Sequence, residues 1–167
     1  KDYPRLPICI AADGLYPYQG FFDICQTNEW RYIETFKAGC LSTVWEEVES
    51  LGKLQTGNQR SETRIEGNKR IERVYRWVTE INYNGHNVHW LECRETISEA
   101  DKEDTHHRFV HLTDLKPDSQ SAPGISIAGR LRWKIENEGF NVQKNQSYGL
   151  KHKFARKSFR AMKNYYQ

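Results

Sequence analysis

The sequence predicts an α/β fold: a strand–helix–strand–helix start, an antiparallel β-rich insertion, and C-terminal helices. Three observations carry this. A short apolar run at residues 8–12 and a strand-like stretch at 30–36 alternate with segments of helical period. Asn84-Gly85, a strong hairpin signal, sits between the β-prone stretches 74–81 and 88–93. From about Ile125 the apolar spacing becomes three and four.

Ile8 to Ala12 is an apolar run closed by Asp13-Gly14, and it reads as a strand buried on both faces. Tyr16 to Gln26 reads as a helix with Phe21, Phe22 and Ile24 as its apolar residues. Trp30 to Phe36 reads as a second strand. Leu41 to Leu51 reads as a second helix, with Leu41, Val44, Trp45, Val48 and Leu51 at helical spacing and Ser42 as its cap. This order favours a parallel α/β layer.

Residues 52–72 are polar and nearly free of large apolar groups, which predicts a loop. The 74–81 and 88–93 strands follow, then a charged connection over 95–107 and a third strand at Phe109 to Leu115. Pro123-Gly124 argues against an early start for the next helix. Ala128, Leu131, Ile135, Gly139 and Val142 then form an apolar stripe, and residues 152–166 read as a last, basic helix. Three segments result: a core segment over 1–55, a β-rich insertion over 56–117, and a helical segment over 118–167.

The chain has 167 residues, enough for one domain with a real core. Aromatics make up 13%, which argues against disorder, although the mean hydropathy of -0.86 is polar. There is no run of 18 apolar residues and no secretory signal, and Lys1 is expected to be a cut end. Cys9, Cys25, Cys40 and Cys93 form no CxxC pair, which suggests reduced thiols and a cytoplasmic location. His86, His89 and Cys93 lack a fourth ligand and fit no standard zinc spacing.

The net charge of +3 hides an asymmetry. Residues 130–167 carry ten Lys and Arg against two acids, and residues 1–129 carry fifteen against twenty. A basic, aromatic-interleaved block on an otherwise acidic chain points to a polyanion, most simply nucleic acid; a solubilising helical face is the other reading. Arg132, Trp133, Lys144 and Lys151 are the candidate contacts.

Two acids stand out. Asp13 comes at the carboxyl end of an apolar strand, where open α/β sheets bind ligands, though from this stretch alone a plain Asp-Gly turn is the favoured reading. Glu136 shares a helix face with Arg132 and Phe140, with Trp133 three residues before it, so it is either an ion-pair partner or a metal ligand. Two carboxylates brought together repel, and a divalent cation relieves that conflict while binding phosphate oxygens.

The segment Ala12-Asp13-Gly14-Leu15-Tyr16, the β-rich insertion, and Arg132-Trp133-Lys134-Ile135-Glu136-Asn137-Glu138-Gly139-Phe140 with Lys144 resemble the DDE transposases of bacterial insertion sequences. The resemblance is to the branch whose RNase H-like core is interrupted by β-strands, and it covers the later part of such an enzyme. It implies a partial RNase H-like fold, with Asp13 and Glu136 as the second and third catalytic acids holding Mg²⁺ or Mn²⁺. It also implies that Arg132 and Lys144 contact DNA phosphates. Expected partners are transposon-end inverted repeats and target DNA in a cytoplasmic, DNA-associated protein. A homodimer is left open for the full-length enzyme.

Three departures matter, the missing first catalytic aspartate the largest. Gly129 stands where the family often has a tyrosine, and Lys144 is one residue late. The first catalytic aspartate is expected upstream of Lys1, since Asp2 precedes its strand and Asp114 reads as a turn residue. The chain is therefore expected to be a catalytically incomplete portion. Trp77 and Trp90 match an insertion-domain tryptophan that stacks on a flipped base in related enzymes, with core packing the favoured role. A non-catalytic nucleic-acid-binding protein, a decayed remnant, or a nuclease of the same fold are the alternatives.

Overall fold

The computed structural model describes residues 6–15, 17–134, 138 and 142. The chain divides into a unit ending at Arg132 and a second beginning at Trp133. Within the first unit the fold is mixed α/β. Its strands are β1 (Cys9–Ala12), β2 (Arg31–Thr35), β3 (Gln59–Glu66), β4 (Lys69–Tyr83), β5 (His86–Glu99) and β6 (Thr105–Thr113). Its helices are α1 (Gln19–Thr27), α2 (Ser42–Leu54) and α3 (Ala122–Arg130), followed by a single turn, α4 (Arg132–Lys134), at the boundary between the units.

One six-stranded sheet runs in the order β1-β2-β6-β5-β4-β3. Only β1 and β2 are parallel, with Ala12 opposite Glu34; the other neighbours are antiparallel. The β-rich stretch therefore continues the β1–β2 layer through the β2–β6 pairing. Two cores sandwich the sheet. Phe22, Cys25, Val44 and Val48 of α1 and α2 pack on Tyr32, Val78, Val88, Trp90 and Leu112. On the other face, Ala122 and Ile125 of α3 pack on Ile33, Tyr75, Trp77, Leu91 and Cys93. Strand alternation sorts the residues: Trp90 and Val88 face one core, Leu91 and Cys93 the other.

The Asn84-Gly85 hairpin forms as expected, with φ of 50° and 86°, the positive pair a two-residue type I′ turn needs. Several other expectations are corrected. Residues 52–72 are not a loop: β3 and the start of β4 pair over Gln59–Glu66, closed by Gly67 at φ 61° and Asn68. This hairpin is held by cross-strand backbone bonds and by polar cross-strand contacts, Arg73 to Glu62 at 3.5 Å and Tyr75 OH to Glu62 at 2.8 Å, so it shows no apolar alternation. Residues 95–107 are likewise mostly strand, since β5 runs to Glu99 and β6 starts at Thr105.

β1 is not buried on both faces. Cys9 and Ala11 are exposed, because β1 is an edge strand with β2 as its one partner in the described sheet. An apolar run alone does not separate a central strand from an edge. Ser42 is the first residue of α2 rather than its cap; Leu41 holds that position at φ 44°. α3 begins at Ala122 despite Pro123, since proline fits the first helical turn, where its missing N–H is needed by nothing. Asp118 prepares that start, its Oδ1 accepting the N–H groups of Gln120 (2.8 Å) and Ser121 (2.7 Å).

β4 carries a bulge between Val78 and Ile81, with Glu80 at φ 64°. Side chains satisfy its backbone: Gln55 receives the Thr79 N–H at 3.0 Å and donates to its carbonyl at 3.1 Å, and His89 Nδ1 accepts the Glu80 N–H at 3.0 Å. Among the described residues no helix is long and apolar enough to cross a membrane.

Candidate functional site

Asp13 follows directly on Ala12, so its carboxylate lies at the carboxyl end of the two parallel strands, the place where α/β sheets bind ligands. Gly14 is required there: a Cβ would come within 2.7 Å of the Thr35 carbonyl oxygen. The Gly14 N–H donates to Asp13 Oδ1, 2.7 Å away. The Asp-Gly turn and the candidate ligand are thus the same structure.

Two cations flank this carboxylate. Lys37 Nζ, just past the end of β2, lies 3.4 Å from Oδ1, and Arg132 Nη1 lies 3.8 Å from Oδ2. Asp13 is about one-quarter exposed. Desolvation works against its charge, but the Gly14 N–H, Arg132 and Lys37 together hold its pKa below the usual aspartate value. It is therefore an ionised oxygen donor, partly open to solvent, at an electropositive strand end. α3 makes this possible by running over the sheet face and delivering residue 132, far away in sequence, to residue 13. Lys37 was not anticipated, because a lysine before Ala38-Gly39 reads as an ordinary turn residue.

The remaining candidates divide. Trp133 is exposed, and Lys134 Nζ sits 4.0 Å from Glu138 Oε1, a solvated pair four positions apart in sequence. Glu136, Lys144 and Lys151 lie outside the described residues, as do Ile135, Gly139 and Phe140 of the proposed helix and the basic segment 152–166. Of the expected apolar stripe, Leu131 and Val142 are exposed. The buried face of α3 is instead Ala122, Ile125, Ser126 and Gly129.

Gly129 has its own explanation. A Cβ at 129 would meet the His111 ring at 2.5 Å and Ile33 at 2.9 Å, so this position has no room for the tyrosine the resemblance leads one to expect. Trp77 and Trp90 are both buried, one in each core, and Trp90 meets Trp45 edge-on at 6.2 Å. Neither presents a ring for base stacking. Asp114 accepts the Tyr32 N–H at 2.9 Å and pairs with Arg31 at 3.0 Å, clamping the start of β2.

That clamp lines a cleft of about 740 Å³ at the opposite sheet end from Asp13, with Cys25, Tyr32, His86 and His89 also on its wall. His86 there contacts Asp23 at 2.9 Å. Cys93 is on the other face of β5 from His86, so His86, His89 and Cys93 do not converge. Among the described residues, no three His, Cys, Asp or Glu side chains form a metal-sized cluster. Asp13 is the one carboxylate that these residues supply to the proposed metal site. No protein-family model matches the chain, and no curated protein matches it.

Proposed function

We propose that this chain is the later part of a DDE-type transposase, an enzyme that cuts and joins DNA phosphodiesters at insertion-sequence ends. The observation that carries this reading is the approach of Arg132 to Asp13 across the sheet. It draws a position four residues before Glu136 in sequence to the strand-end carboxylate, as an acid pair 123 positions apart in the chain requires. Among the described residues β1 is the edge strand, so its outer side is where this reading puts a further strand beside Asp13.

In this reading Asp13 and Glu136 hold Mg²⁺ or Mn²⁺, which when bound stabilises charge on the attacked phosphodiester. Arg132 and Lys144 position the DNA backbone, with Lys151 and Trp133 extending the contact. In this reading the core is RNase H-like, and the resemblance gives the family's site a further acid besides these two. It works in the cytoplasm, on DNA.

One observation favours a second reading. Asp13 is already neutralised by Lys37 and Arg132, as it would be in a non-catalytic nucleic-acid-binding protein or a decayed transposase. Mn²⁺ binding followed by electron paramagnetic resonance, with and without a transposon-end duplex, separates the two. The enzymatic reading expects Asp13→Ala and Glu136→Ala each to lower Mn²⁺ affinity at least tenfold while DNA affinity is retained. Equal Mn²⁺ binding by wild type and both variants refutes it.

A further inference from the structure

The opposite faces of β3–β6 carry different charge. Over residues 59–66, 69–76, 92–99 and 105–110, the face that continues the α3-covered core is balanced: Arg60, Arg64, Lys69 and Arg73 stand against Glu62, Glu66, Glu95 and Glu99. The other face carries Arg70, Arg76, Arg94 and Arg108 against only Glu72 and Glu92. Arg70 and Glu72 pair with each other. The excess is therefore concentrated around Glu92.

Arg94 and Arg108 are directly opposite each other in the β5–β6 register. Like charges in that position repel, so the pair needs a reason. Glu92, 1% exposed, lies beneath both: Arg94 Nε is 3.0 Å from one oxygen and Arg108 Nε is 2.6 Å from the other. One buried carboxylate thus holds two guanidiniums side by side, Arg108 through Nε and Arg94 through Nε and, at 3.5 Å, Nη2, while the side chains stay 59% and 51% exposed. Arg76, opposite Glu92 on β4, is exposed and makes no ion pair among the described residues. Such a fixed array suits phosphate, which guanidiniums grip through two parallel N–H donors.

Its place in the fold names the occupant. The Phe36 N–H bonds to the Val110 carbonyl, and Arg108 lies two residues further along, so the array is at the same sheet end as Asp13. Strand spacing puts the backbones of Arg108 and Arg94 roughly 15 Å from that of Asp13, the axial length of a few base pairs, with the arginines on the sheet face opposite α3. We infer that Arg94 and Arg108, organised by Glu92, form with Arg76 a second phosphate-binding surface, which holds the DNA backbone at the Asp13 end of the sheet on the face opposite α3. This rests on the reading of the protein as DNA-directed, but not on metal chemistry or cleavage.

Fluorescence anisotropy of a labelled duplex across a salt series, in EDTA, tests it. Arg76→Gln leaves Glu92 paired and should reduce the log–log salt slope by about 1. The triple change Arg94→Gln, Arg108→Gln, Glu92→Gln removes the carboxylate with its partners, avoiding an orphaned buried charge, and should reduce the slope by about 2. Arg64→Gln on the balanced face serves as the control, and its slope should change by less than Arg76→Gln changes it. Wild-type slope and affinity in both patch variants overturn the inference while leaving the transposase reading intact. Loss of binding in those variants, with Mn²⁺ binding unaffected by Asp13→Ala, upholds the inference and defeats that reading. A wild-type chain that does not bind DNA overturns it outright.

Discussion

Gly129 is packed so closely against His111 that an added Cβ would lie 2.5 Å from the imidazole Cε1. Helix α3 sits on the sheet at backbone distance there, and this close seating is what carries Arg132 onward to Asp13. Gly129→Ala is expected to destabilise the fold by about 1–3 kcal/mol through overpacking. It should also weaken the Arg132–Asp13 approach. Gly124→Ala in the same helix meets nothing within 4 Å and should be neutral or stabilising by up to about 1 kcal/mol. Urea denaturation of the two variants checks the contrast; equal destabilisation would mean that helix propensity, not contact, governs both.

Glu95 is the centre of a buried ionic cluster. Its carboxylate is 4% exposed, with Arg73 Nε at 2.6 Å and Arg130 Nη1 at 3.3 Å. Desolvation opposes its charge, but Arg73 and Arg130 together hold its pKa below the usual glutamate value. Arg130 also lies 3.9 Å over the Phe109 ring, so the cluster ties α3 to β4, β5 and β6. Glu95→Ala leaves Arg73 largely buried without its main counter-charge, and a loss of about 3–5 kcal/mol is expected. Thermal denaturation reads this directly, and a shift of less than 1 °C would contradict it.

Two buried groups give stability opposite pH dependences. His111 lies under α3, and burial pushes its pKa down to about 4, with Arg130 adding to the effect and the Glu34 backbone opposing it. The unfolded chain takes up this proton first, so stability is lost as pH falls from about 6.5 toward 4. Glu34 is fully buried on the other face; neither carboxyl oxygen has a hydrogen-bond partner, and burial pushes its pKa up to about 8. Here the folded state holds the proton that the unfolded chain releases, so stability is lost as pH rises from about 4.5 to 8. Glu34→Gln is therefore expected to stabilise the protein at pH 8 relative to pH 5, by roughly 2–5 kcal/mol. Denaturant midpoints at the two pH values test this, and a pH-independent effect would count against it.

The local rules in the sequence were sufficient for the parts governed by neighbours. Asn84-Gly85 specified its own turn, the spacing of Val44 and Val48 specified the buried face of α2, and the 8–12 and 30–36 runs became the parallel pair. Asp13 was legible as a strand-end carboxylate for the same reason. The β3–β4 hairpin was not, because its stability comes from paired backbones and ion pairs, which leave no apolar period to read. Nor was the edge position of β1, since pairing partners are non-local. Only the tertiary structure decided that Lys37 and Arg132 meet at Asp13, that Gly129 must be small, and that Arg94 faces Arg108 over Glu92. Each is a contact between residues distant in the chain, fixed by sheet register and helix seating rather than by any property of the residues taken alone.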